Sequence, residues 1–114
     1  MKPRMKKDLV AASAEPLILA LLLKGESYGY AIMQAIHAES AEQIEWTDGM
    51  LYPVLHRLER QGAVRSRWRE SETGRKRKYY AIKSQGRDVL EEHKSQWLAV
   101  NRVLENLWRP HVQS

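Results

Sequence analysis

The sequence predicts a mainly α-helical domain with one small β-hairpin, an α+β fold, and three observations carry that prediction. Apolar residues recur at helical spacing from Leu51 to Leu58, two short β-patterned runs flank a polar loop at Glu70 to Gly74, and Gln85 to Trp108 holds no Pro or Gly after Gly86. The first two lie together between Thr47 and Lys78, and the rest of the chain is arranged around them.

Taken in order, Met1 to Val10 is a basic arm. Ser13-Ala14-Glu15-Pro16 reads as a helix start, because Pro is tolerated in a first turn where its missing N–H has no partner to lose. Leu17 to Lys24 then forms a buried helix ended by Gly25. Ser27 is placed to cap a second helix running to about Glu39, with Ile32, Ala35 and Ile36 inward. Ser40 to Trp46 is a connector anchored on the core by Ile44 and Trp46.

Thr47 can cap the third helix through its hydroxyl. Leu51, Val54, Leu55 and Leu58 follow the i, i+3, i+4, i+7 pattern of one buried face, and Gly62 supplies the left-handed residue that ends it. The opposite face carries Gly49, Tyr52, Pro53, His56 and Arg60, free to meet a partner. Val64 to Arg69 and Lys76 to Ile82 then read as a hairpin around Glu70-Ser71-Glu72-Thr73-Gly74. Alternation sends Arg65, Arg67 and Arg69 to one side and Val64, Ser66 and Trp68 to the other. The order is helix-turn-helix plus a basic wing.

The last helix differs in kind. Leu90, His93, Trp97, Val100, Leu104, Leu107 and Trp108 share one face of a helix that spans ~35 Å at ~1.5 Å per residue. That face is too long to be covered by so small a domain. Leu90, Trp97 and Leu104 are heptad-spaced, as are Asn101 and Trp108, so the helix is expected to pack on a second copy as the arm of a homodimer. The division expected is residues 1–84 as the helix-turn-helix-wing domain with its basic arm, and 85–114 as a dimerisation helix.

Charge narrows the kind of partner to nucleic acid, an anionic membrane surface or plain solubility, and the architecture separates these. The chain of 114 residues has a formal net charge of +5, and Arg65 to Lys78 alone sets seven cations against Glu70 and Glu72, a local +5. Met1 to Lys7 adds +4, so the remainder is acidic and the positive field is concentrated. A helix about ten ångströms across fits the DNA major groove, where Gly49, Tyr52, His56 and Arg60 would face base edges and phosphates. Arg75, Lys76, Arg77 and Lys78 at the hairpin tip would follow the phosphates or enter the adjacent minor groove. A solvated strand face or ion pairing with Glu70 and Glu72 accounts for Arg65, Arg67 and Arg69 better than DNA contact does.

Other functions find little support. His37, His56, His93 and His111 are scattered, with no HExxH motif and no cysteine, so neither a metal nor another cofactor is expected. No GxSxG motif or phosphate-binding glycine loop occurs. Adjacent Glu91 and Glu92 point about 100° apart on a helix and form no acid/base pair. The longest apolar run, Pro16 to Leu23, is too short to span a bilayer, and the absence of cysteine fits a reducing cytoplasm. Besides DNA binding, two rival roles fit the composition: a dimeric protein-interaction module on the same fold, and a small-molecule carrier using the cleft between subunits.

Three segments carry a resemblance to a known family. Ser27-Tyr28-Gly29-Tyr30-Ala31-Ile32, the stretch Gly49 to Gly62 with its Leu51-Tyr52-Pro53 core, and Gly74-Arg75-Lys76-Arg77-Lys78-Tyr79-Tyr80 resemble the PadR family of bacterial transcriptional regulators. So does the junction Tyr80 to Arg87. The resemblance implies a winged helix-turn-helix dimer that represses genes from pseudo-palindromic, double-stranded DNA operators and is released by a small-molecule signal. Length places the chain with the short members, some of which bind flat aromatic compounds between the subunits, stacked on a tryptophan of the dimer helix. Trp97 matches that tryptophan, and Asn101, one turn on, faces the same space. Two positions depart from the family pattern: Met50 and Lys83 stand where Thr is common, which leaves Ser84 to cap the last helix.

Overall fold

The computed structural model describes residues 4–110, so Met1 to Pro3 of the basic arm and His111 to Ser114 of the predicted dimerisation segment lie outside the described residues. In chain order the elements are α1 (Lys7–Leu22), β1 (Ser27–Tyr28), α2 (Gly29–Glu39), α3 (Asp48–Arg60), β2 (Val64–Glu70), β3 (Lys76–Ile82) and α4 (Ser84–Trp108). The mainly α, α+β architecture and the long last helix are as the sequence predicts. The three strands form one antiparallel sheet in the order β1-β3-β2.

The first helix corrects the reading of Ser13 as a start. α1 begins at Lys7 and runs through Pro16 to Leu22. Val10, Ala14, Ile18 and Leu22 are all buried at a spacing of four, so breaking the helix at Ser13 would uncover Val10. The Ser13 hydroxyl donates backwards, to the Leu9 carbonyl at 2.8 Å, instead of capping forwards. Pro16 removes the bond its absent N–H would have made to the Ala12 carbonyl and crowds that carbonyl with its ring, yet the helix continues past it. The arm before α1 is tied down by the Met5 amide on the Gln43 carbonyl (3.3 Å) and by Arg4 on Glu45 (2.8 Å).

Three more caps differ from expectation. Ser27 does not cap α2: it lies in β1, paired with Tyr80, while Tyr28 pairs with Tyr79 and itself precedes the helix in extended conformation. A two-residue strand has no period to reveal it, and only its partners Tyr79 and Tyr80, far along the chain, make it a strand. Thr47 holds the N-cap position of α3, yet its hydroxyl makes no capping bond, and the first turn closes on its carbonyl through the amides of Met50 and Leu51. At α4 the N-cap is Lys83, and Ser84 is already helical.

The expected apolar faces are present. Ile32 and Ile36 of α2, and Leu51, Leu55 and Leu58 of α3, are buried, with Ala35 and Val54 half-buried beside them. Between the two helices, Ala41 and Glu42 take left-handed φ of 53° and 69°. The Ser40 hydroxyl accepts the Ile44 amide at 2.9 Å, so the turn delivers Ile44 and Trp46 into the core. Gly62, at φ 78°, turns the chain from α3 into β2.

The wing and last helix are locked to that core at one close approach. Lys83 donates its amide to the Ala63 carbonyl at 2.9 Å, and Gly86 lies buried against the same carbonyl, where a Cβ would collide with it. From there α4 lies along α1 as far as Leu90, which is buried, and His93. Beyond them the helix stands clear: Leu98, Val100, Val103, Leu107 and Trp108 are all more than half exposed. The projection stretches the molecule to 67 × 36 × 21 Å. No helix among the described residues is long and apolar enough to cross a membrane.

Candidate nucleic-acid interface

The hairpin pleat divides the wing's charge between two faces. Residues directly opposite across an antiparallel pair project to the same side. The register Val64↔Ile82, Ser66↔Tyr80, Trp68↔Lys78, Glu70↔Lys76 therefore defines one face, and Arg65↔Ala81, Arg67↔Tyr79, Arg69↔Arg77 the other. The four consecutive cations at the tip do not act as one block. Lys76 and Lys78 face the same way as Trp68, and Arg77 faces away from them.

The inner face looks onto α3 across an open concavity of about 890 Å³. Its lining brings together Tyr52 and His56 of α3 with Trp68, Arg75, Lys76, Arg77 and Lys78 of the wing, and Asp48 stands at its helical rim. Six of the seven residues singled out for DNA contact thus border one surface. Gly49 lies outside that lining, exposed in the first turn of α3.

Within the concavity the residues differ in freedom. Tyr52 is half-buried and rests on Gly29, where any Cβ would run into its hydroxyl, so the small residue at the start of α2 makes room for the ring. The Tyr52 face of α3 is therefore partly packed, not wholly free. His56 is exposed, its ring centroid 6.2 Å from that of Tyr52. The Lys78 ammonium lies 4.0 Å from the Glu59 carboxylate and 5.8 Å from the Tyr80 ring centroid. Arg75 and Lys76 are exposed and make no ion pair among the described residues.

On the outer face the arginines find a partner the sequence reading missed. Glu26 accepts hydrogen bonds from Arg67 Nε (3.1 Å) and Nη2 (2.7 Å), and from Arg69 Nη1 (2.6 Å). Glu70 and Glu72, the expected partners, take no part. Hydrogen bonding to Arg67 holds the Glu26 carboxyl below its usual range and raises the Arg67 guanidinium in return. Arg77 lies over the Tyr28 ring at 4.4 Å and Arg69 over Tyr79 at 4.6 Å, the two tyrosines meeting edge-on at 5.2 Å. Glu26 precedes Arg67 by 41 residues, so no local pattern announced the pairing.

Tyr80, fully buried on the inner face, has a hydroxyl without a hydrogen-bond partner. Burial, reinforced by Glu59 and Tyr52, pushes its phenol up to about 12.

The two ligand candidates on α4 are differently placed. Trp97 is 39% exposed and borders an apolar groove of about 560 Å³ between α1 and α4, lined also by Leu9, Leu17, Leu23 and Leu90. Asn101, one turn further along, is exposed and does not line that groove. Between the groove and α3 sits Glu15 of α1. Its carboxylate accepts from Arg57 Nε of α3 at 3.1 Å and lies 3.6 Å from His93 Nε2 of α4. No cluster of three or more His, Cys, Asp or Glu among the described residues could hold a metal ion.

Comparison with known proteins agrees with this architecture. The family model described as the transcriptional regulator PadR-like family matches residues 18–92. An uncharacterised protein of Lysinibacillus sphaericus is 30% identical over 101 residues, covering 89% of this chain and 93% of that protein. Among solved structures, a transcriptional regulator from Clostridium thermocellum is similar with a TM-score of 0.82 at 28% identity, over 92% of this chain and 99% of that one. A PadR-like transcriptional regulator from Bacillus cereus is similar with a TM-score of 0.80 at 28% identity, over 92% of this chain and all (100%) of the other.

Proposed function

The chain belongs to the PadR-like family of transcriptional regulators, a family of regulators and not of enzymes, and from that premise we propose that it is a sequence-specific DNA-binding repressor acting as a homodimer. The observation that carries the reading is the concavity between α3 and the wing, which sets His56 and Tyr52 opposite Lys76 and Lys78. With α3 in the major groove, Gly49, Tyr52 and His56 meet base edges and phosphates, while Arg75, Lys76 and Lys78 reach the phosphates flanking the next minor groove and Arg77 adds its charge from the other face of the wing. In this reading residues 1–84 are the DNA-binding unit and residues 85–114, which hold nearly all of α4, the dimerisation segment. A duplex partner suits work in the cytoplasm.

The unpartnered stripe of α4 supports the homodimer. Trp97, Val100, Leu104, Leu107 and Trp108 are 37–75% exposed, and the apolar groove beside α1 offers a complementary surface for a second copy. The same region supports release by a small, flat aromatic ligand stacked on Trp97, with Asn101 able to hydrogen-bond it. Ligand between the two α4 helices alters the distance between recognition helices, which must match half-sites about one DNA turn apart. Glu15, touching α3 through Arg57 and α4 through His93, links the two ends of that movement.

Fluorescence anisotropy of a labelled duplex from the gene's own upstream region, against a scrambled duplex across a salt series, tests the reading. A preference that survives near-physiological salt is expected, with sedimentation at twice the chain mass. Equal, salt-abolished binding to both duplexes would favour the protein-interaction module. Quenching of Trp97 by aromatic dyes without any change in DNA binding would favour the small-molecule carrier.

A further inference from the structure

Trp68 is the residue of the wing that the functional reading leaves unused, and it is 67% exposed in a domain that buries Trp46 and Tyr80. It is not a stray surface aromatic. The register sets it directly across from Lys78 on the inner face, with Lys76 next along the same side, and it borders the concavity shared with Tyr52 and His56. Nothing in its own hairpin covers it: towards the tip its neighbours are Arg69, Glu70 and Lys76. An indole beside two lysines of the neighbouring strand and opposite a recognition helix suits a surface that carries both anionic and apolar parts.

We propose that Trp68 is an apolar DNA contact, packing its ring on the deoxyribose face of the strand that separates the groove holding α3 from the groove under the wing. The inference rests on the duplex-binding reading above and deepens it. Sugar C–H faces are the apolar part of a DNA backbone, and the flanking lysines engage the phosphates on either side. Such a contact is independent of sequence and, unlike the lysines, releases no counterions. Its contribution to binding therefore persists as salt rises.

The test compares Trp68→Ala, Trp68→Phe and Lys76→Ala with the unmodified chain, titrated against a fluorescein-labelled mixed-sequence duplex from about 50 to about 200 mM salt. Trp68→Ala is expected to weaken binding about tenfold at every salt concentration, a loss of apolar contact that leaves the salt slope unchanged. Trp68→Phe keeps most of the affinity, and Lys76→Ala flattens the slope. A wing merely misplaced by Trp68→Ala would lose its lysine contacts too and flatten the slope, which overturns the proposal. Undiminished binding by Trp68→Ala overturns it as well, while duplex binding by the unmodified chain keeps the broader reading standing. Failure of the unmodified chain to bind duplex at all removes both.

Discussion

Replacing Arg75 and Lys76 by alanine tests the charge count that the fold imposes on the wing. Of the seven cations between Arg65 and Lys78, Arg67 and Arg69 are held by Glu26, Arg77 lies over Tyr28, Lys78 sits 4.0 Å from Glu59, and Arg65 stands exposed at the base of the wing, opposite Ala81. At the tip that leaves Arg75 and Lys76 exposed and without an ion-pair partner among the described residues. Each phosphate neutralised contributes about 0.9 to the slope of log affinity against log salt, so the double substitution should flatten the slope by about 1.8 per protomer and about 3.6 per dimer. Lys78→Ala should flatten it less than Lys76→Ala, because that ammonium already spends part of its field on Glu59. The assay is anisotropy of a labelled duplex across a salt series, with circular dichroism to confirm that each variant is folded. An unchanged slope for the double variant, or an effect of Lys78→Ala as large as that of Lys76→Ala, would refute the count.

Further expectations concern stability. Tyr80→Phe removes a buried hydroxyl that has no partner and should stabilise the fold by about 1 kcal/mol, read as a rise in calorimetric Tm. The same substitution has an alkaline signature. Because the folded phenol is raised to about 12, its contribution is intact below the ordinary tyrosine value of about 10 and is lost as pH climbs from there towards 12, a loss the Phe variant should not show. Gly86→Ala drives a methyl group into the Ala63 carbonyl and should cost about 1–3 kcal/mol in chemical denaturation, whereas an unchanged midpoint would mean that α4 can slide. Glu26, with its carboxyl held below the usual range by Arg67, supports the fold at neutral pH and loses that support as pH falls through its lowered value. An NMR titration should find it ionising at lower pH than exposed glutamates, and Glu26→Gln should remove that part of the acid limb.

How much could be read in advance depended on distance along the chain. The α3 face was legible because Leu51, Leu55 and Leu58 repeat within three turns of one helix, and the hairpin because alternation and a glycine loop are local signals. α1 was misread at Ser13 and Pro16, since residues that favour a helix start also occur inside helices when a buried stripe such as Val10, Ala14 and Ile18 continues past them. The concavity was half legible: the residue types pointed to an anionic partner, but their sorting into two faces waited on the register. Alternation places Trp68 with Val64 and Ser66, and only its exposure shows that the inner face runs out of core before reaching it.

By itself, then, the sequence determined the order of the helices and the hairpin, the buried faces of α2 and α3 and the concentration of positive charge, all of which follow from periodicity and composition over a few turns. Tertiary structure alone decided which charges remain available. Glu26 reaches Arg67 and Arg69 because β1 pairs with β3, Glu59 meets Lys78 across the turn from α3 to the wing, and Glu15 joins α3 to α4. Those partners are brought together by packing of elements far apart in the chain, and a carboxylate's neighbour in space leaves no trace in its neighbours in sequence.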